Sequence, residues 1–164
     1  MGSTRLVIID LETTGFNPKT ESILEVYAGL YYNGKIIDDF HSLIKPKKGI
    51  PRKITKLTGI TESMVKDAPS FKEISGDLYT FMRSKRILAY NSSFDKRFLV
   101  WNDRKFTCLR YQDYLKYIKN KRPHLRSYSL QSVAKHFGVS TFDEAHRAKA
   151  DVETIARLVK ILGV

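Results

Sequence analysis

At 164 residues and 18.9 kDa, the chain has the length of a single domain, residues 1–164, with a hydrophobic core of its own. Its 42% apolar and 12% aromatic content excludes a disordered polymer, and a lone cysteine, Cys108, excludes a disulfide framework or a thiol cluster. The net charge of +12 points to polyanionic partners, nucleic acid first. With no signal-peptide pattern and no apolar run of roughly 20 residues, the expectation is a cytoplasmic chain without a membrane partner.

In chain order, Arg5 to Ile9 reads as a buried strand. Ile23 to Tyr32 and Lys35 to Ile44 read as two more, joined at the hairpin signal Asn33-Gly34, so the first three strands form an antiparallel meander. Ile54 to Thr61 predicts a short helix closing on Gly59, followed by a second short one. Phe71, Ile74, Leu78, Phe81 and Met82 have helical spacing within Pro69 to Met82. Arg86 to Tyr90 predicts a strand, and Phe94 to Trp101, Gln112 to Lys119 and Ser129 to Phe137 predict helices. Val152, Ile155, Ala156, Leu158, Val159 and Leu162 form the apolar stripe of a last helix, with Gly163 just beyond. Strands first and helices after them indicate a mixed-sheet α/β domain.

Candidate chemistry sits at the element ends. Asp10 and Glu12, in Asp10-Leu11-Glu12-Thr13-Thr14-Gly15, are two apart and share one face of a continuing strand. Two such carboxylates need either a Lys or Arg each or a metal ion between them. Gly15 permits a tight or left-handed backbone after the strand, and the small threonines let a ligand come close. Asp95 closes Ala89-Tyr90-Asn91-Ser92-Ser93-Phe94-Asp95, where a helix-start acid and a metal ligand are both open readings. His146 and Asp151 are five apart, a rotation of about 140° in a helix, so the two cannot face one pit from within a regular helix. The expectation is Asp151 in the first turns of the last helix and His146 on the loop leading in, placed to reach a water. His41, His124 and His136 are read as ordinary surface or core residues.

Taken in this order, the strings around Asp10, Glu12, Asp95, His146 and Asp151 resemble the DEDDh family of 3′–5′ exonucleases, in particular the proofreading exonucleases of bacterial DNA polymerase III. The six-residue string from Asp10 to Gly15 is the most specific part. Tyr90 departs from the family pattern, which has a His there, while Asn91, Phe94 and Asp95 match.

The resemblance implies a ribonuclease H-like exonuclease fold, a five-stranded mixed sheet in which the meander is joined by parallel strands and flanked by helices. It implies two divalent ions, Mg²⁺ or Mn²⁺, held by Asp10, Glu12, Asp95 and Asp151. Asp10 would bridge both ions, and His146 would take the proton of the attacking water. Leu11, Thr13, Thr14, Leu57, Asn91 and Phe94 would line the terminal nucleotide. Leu57 is open between a wedge and a packing residue, and Asn91 between a loop bond, a bond near Asp10 and a plain turn residue.

The implied partner is nucleic acid with a free 3′ end, single-stranded DNA first and RNA as the alternative, in the setting of a replicative DNA polymerase. A non-catalytic nucleic-acid-binding module is the reading from another class. Two basic stretches supply grip: Lys45, Lys47, Lys48, Arg52, Lys53 and Lys56, then Arg104 to Arg126 with Tyr111, Tyr114 and Tyr117 interleaved. Those tyrosines read as one buried helix face or as a stacking ladder.

Overall fold

A computed structural model describes residues 5–141 and 146–164. Five strands, β1 (Leu6–Thr13), β2 (Ile23–Tyr32), β3 (Lys35–Leu43), β4 (Arg86–Ala89) and β5 (Arg110–Asp113), form one sheet in the order β3-β2-β1-β4-β5. β1, β2 and β3 pair antiparallel, while β4 and β5 run parallel to β1, giving the expected mixed sheet. The hairpin turns where expected, with Asn33 at φ 50° and Gly34 at φ 87°, the left-handed conformations of a two-residue turn.

Alternation along β1 assigns its side chains to two layers. Val7, Ile9 and Leu11 face α3 (Phe71–Met82) and α4 (Ser92–Asn102), packing on Leu78, Met82, Phe98 and Leu99. Leu6 and Ile8 face α5 (Tyr114–Lys121), α6 (Leu130–His136) and α7 (Ala148–Leu162), packing with Tyr114, Val133, Val152 and Ile155. Both faces are covered, so β2 reads as nine buried residues in a row. Two short helices, α1 (Arg52–Thr58) and α2 (Glu62–Val65), lie beyond the meander, and α1 ends at left-handed Gly59 as expected. Among the described residues no helix is long and apolar enough to cross a membrane.

The sequence reading fails at Gln112 to Lys119. The chain there is split, with Arg110–Asp113 completing the sheet against Arg86–Ala89 and a helix starting only at Tyr114. Asp113 caps that helix by accepting from the Lys116 N–H at 2.8 Å. Tyr111 therefore lies on a strand, while Tyr114 and Tyr117 stack at 5.7 Å in α5 and Tyr114 is fully buried. Gly15 does not take a left-handed backbone; a Cβ there would lie 3.0 Å from Cγ and Cδ of the Glu21 side chain, which would have to shift slightly.

Candidate metal centre

Asp10 and Glu12 continue the Leu6–Ile8 row, so they leave the C-terminal end of β1 on the face covered by α7. α7 begins at Ala148, which puts Asp151 in its first turn over those two acids. One ligand oxygen from each of Asp10, Glu12 and Asp151 lies within 4.8 Å of the others. The three ion pairs among the described residues, His41–Glu25, Arg147–Glu25 and Lys105–Asp103, leave this cluster out.

Burial and mutual repulsion are visible in the acidities. The Asp10 carboxyl is pushed well above the carboxylate range by burial and by facing Asp95, Glu12, Asp151 and Glu25. Glu12 is driven to about 9 by burial, then by Asp151 and Glu25, with the Arg147 guanidinium pulling the other way. Asp151 is raised by burial, against the pull of the neighbouring His146. Three hard oxygen donors held this close suit a divalent cation.

Asp95 enters from the other layer. It stands in the first turn of α4, 3% exposed, with Oδ1 lacking any hydrogen-bond partner. Burial pushes it up to about 7, against the favourable backbone N–H groups of Asp95 itself and of Leu11, with Asp113 adding repulsion. An orphaned buried carboxylate oxygen is rare in a settled interior, and a cation beside Asp10 would satisfy it.

The helix that carries Asp95 is held from β5, because Asp113 accepts from the Ser92 N–H at 3.0 Å and from Ser92 Oγ at 3.2 Å. Asn91 bonds within the loop, its Oδ1 accepting from Ser93 Oγ at 2.8 Å. Tyr90, in the place of the family His, donates to the Tyr128 carbonyl at 2.8 Å and ties the segment after α5 to the end of β4.

The remaining sequence-assigned residues occupy different layers. Leu11 is buried in the apolar layer opposite the acids. Thr13 Oγ1 donates to the Gly15 carbonyl at 2.6 Å, and Thr14 Oγ1 donates to Glu21 at 2.6 Å while accepting from the Ser22 N–H. These bonds shape the loop after β1. Phe94 packs on Phe98 and on Phe16, whose ring is 83% exposed. Leu57 is half exposed on α1, beside exposed Lys53 and Lys56. His146 precedes α7 with φ 67°, a left-handed conformation uncommon for a residue with a Cβ.

Glu25, Arg147 and Asp113 escaped the sequence reading. Glu25 is an acid inside an otherwise apolar strand, and that incongruity was its signal. It is 1% exposed and is Cα partner to Glu12 in the β1–β2 ladder. Its carboxylate accepts from Arg147 Nε at 3.0 Å, Arg147 Nη2 at 2.8 Å and the Ala148 N–H at 3.1 Å, and Oε1 lies 2.8 Å from His41 Nε2.

A family model described as Exonuclease (RNase_T) matches residues 7–159. The PolC-type DNA polymerase III of Thermotoga maritima is 36% identical over 161 residues, 96% of this chain and 12% of that protein. The 3′–5′ exonuclease DinG of Staphylococcus epidermidis is 32% identical over 163 residues, 97% of this chain and 18% of that one. The chain thus spans less than a fifth of these curated relatives. Among solved structures, exonuclease X in complex with 5′-overhanging duplex DNA superposes with a TM-score of 0.78 at 27% identity, covering 95% of this chain and 89% of its own. The nuclease domain of 3′hExo, a DEDDh family member bound to rAMP, has the same fold, with a TM-score of 0.80 at 22% identity over 98% of this chain and 92% of its own. A match running from β1 into α7, on a sheet whose central strand ends in paired acids, makes this chain a member of the exonuclease family.

Proposed function

We propose that the chain is one exonuclease domain that removes nucleotides from the 3′ end of DNA, single strands first, as a metal-dependent 3′–5′ exonuclease. The observation that carries this is the convergence of Asp10, Glu12 and Asp151 within 4.8 Å, with the orphaned Asp95 oxygen beside them. Asp10, Glu12, Asp95 and Asp151 would hold two Mg²⁺ or Mn²⁺ ions. When bound, such ions stabilise the charge that develops on the attacking and leaving oxygens at phosphorus.

The chain's own residues supply the rest. His146 accepts the proton of the attacking water, the bond between phosphorus and the 3′-oxygen of the penultimate nucleotide breaks, and a nucleoside 5′-monophosphate leaves. Leu11, Thr13, Thr14, Leu57, Asn91 and Phe94 surround the terminal nucleotide: Leu57 through exposed and Phe94 through half-buried apolar surface, Leu11 and the threonines through the backbone they hold. The exposed lysines of residues 45–56 draw in the phosphate backbone. The PolC-type and DinG relatives favour DNA over RNA and a cytoplasmic role beside a replicative polymerase.

Digestion of 5′-labelled DNA and RNA single strands tests the reading. A ladder of shortened DNA products that vanishes with EDTA and with Asp10→Ala is the expected result. Cleavage that survives both treatments overturns the metal mechanism, and RNA cut faster than DNA overturns the sugar preference. Binding without cleavage makes the chain a nucleic-acid-binding module.

A further inference from the structure

The carboxylate of Glu25 is costly where it stands. It is buried in a strand that is otherwise apolar, and its charge adds to the repulsion felt by Asp10 and Glu12. A leucine would suit β2 better. Three of its four polar contacts go to Arg147 and Ala148, the two residues between the base His146 and the rest of α7.

At that junction the Asp151 carboxylate accepts from the His146 N–H, and further support comes from β2. Arg147 is the N-cap of α7 and makes no side-chain cap bond, so the Ala148 N–H is satisfied from β2 instead. His146 sits at φ 67°, which persists in a residue with a Cβ only where the surroundings impose it. The Asp151 N–H bonds the Arg147 carbonyl at 3.0 Å, a bond of α7 itself, so Asp151 keeps its place through the helix while His146 stands outside it.

We propose that Glu25 is a positioning residue for hydrolysis: by gripping the Arg147 guanidinium and the Ala148 N–H, it fixes the turn that delivers His146 to the acid cluster. This rests on the exonuclease reading above. Glu25 touches neither substrate nor reacting atoms; it acts through Arg147. His41, exposed at the outer side of Glu25, completes the carboxylate's shell and has a lesser part.

Single-turnover hydrolysis of 5′-labelled single-stranded DNA by the full chain with Mn²⁺ tests it. Glu25→Gln and, separately, Arg147→Gln are compared in the unmodified and His146→Ala backgrounds. Glu25→Gln alone is expected to slow the chemical step about tenfold, with KM and Mn²⁺ affinity within about twofold. In the His146→Ala background the same change is expected to cost less than about twofold, because the residue being positioned is gone. A tenfold loss in both backgrounds reads as general damage to the fold and overturns the proposal.

If Glu25→Gln fails to fold, Glu25→Asp replaces it. This variant keeps the charge on a shorter stem, and an equal loss with and without His146 overturns the proposal in the same way. A chain that cuts normally, dies with Asp10→Ala and is indifferent to Glu25→Gln breaks only this inference. Indifference to Asp10→Ala breaks the exonuclease reading beneath it.

Discussion

Glu12 and Glu25 are the same residue type, face each other across the β1–β2 ladder and are both shielded from water, yet their acidities move in opposite directions. Burial and neighbouring acids drive Glu12 to about 9. Burial also works against Glu25, but Arg147, His41 and the Ala148 N–H outweigh it and hold Glu25 below its usual value. Only partners differ. A buried carboxylate with its bonds already made belongs to the architecture, while one left among like charges is suited to a cation.

The largest effect that sharpens this contrast is on activity. Asp10→Asn should lower hydrolysis by at least ~100-fold, beyond what the loss of an outer-layer partner costs, while raising the melting temperature of the metal-free chain by relieving repulsion. Lower melting together with lost activity would mean that Asp10 is bound into the fold as Glu25 is.

Next is the paired substitution on opposite sides of the ladder. Glu25→Ala should cost about 3 kcal/mol in urea unfolding, since it removes the buried carboxylate that Arg147 and the Ala148 N–H bond, whereas Glu12→Gln should stabilise the metal-free chain. Shifts of the same sign would end the comparison.

The third effect is on pH. The carboxyls of Asp10, Glu12 and Asp151 all hold their protons to higher pH than usual, so between their ordinary values and about 9 the folded chain binds more protons than the unfolded one. Metal-free stability should therefore fall as pH rises through that window. Glu25, lowered, works with the opposite sign: its contribution is present above its ordinary value and is lost on acidification. Added Mn²⁺ should raise the melting temperature more at pH 9 than at pH 6, because its ligands must lose their protons. A melting profile without metal that is flat over this range would contradict the cluster's electrostatics.

The smallest effect belongs to His41. His41→Ala removes one exposed partner of Glu25 and should cost no more than about 1 kcal/mol.

Much of this was legible in the chain. The two-residue spacing of Asp10 and Glu12 on a continuing strand assigned both acids to one face, and Asn33-Gly34 announced the hairpin because that pair takes left-handed backbone angles readily. β5 was hidden because Arg110–Asp113 is three polar residues around one tyrosine, and its strand character comes from pairing with β4. Glu25 was hidden for a different reason: its partner Arg147 lies 122 positions away, and local spacing carries no sign of such a match. Tyr90 was legible as a departure, but its bond to the Tyr128 carbonyl was not.

The docking of α7 on β1 has a consequence for how the chain comes off the ribosome. Asp10 and Glu12 are made at once, but Asp151 arrives with the last helix, after every strand and after the helices that cover the opposite layer. Until α7 packs down, β1 presents two repelling acids and an uncovered apolar row, without the Asp151 carboxylate over them. On the proposed reading the metal centre is complete only once α7 packs on β1, when contacts distant in sequence close.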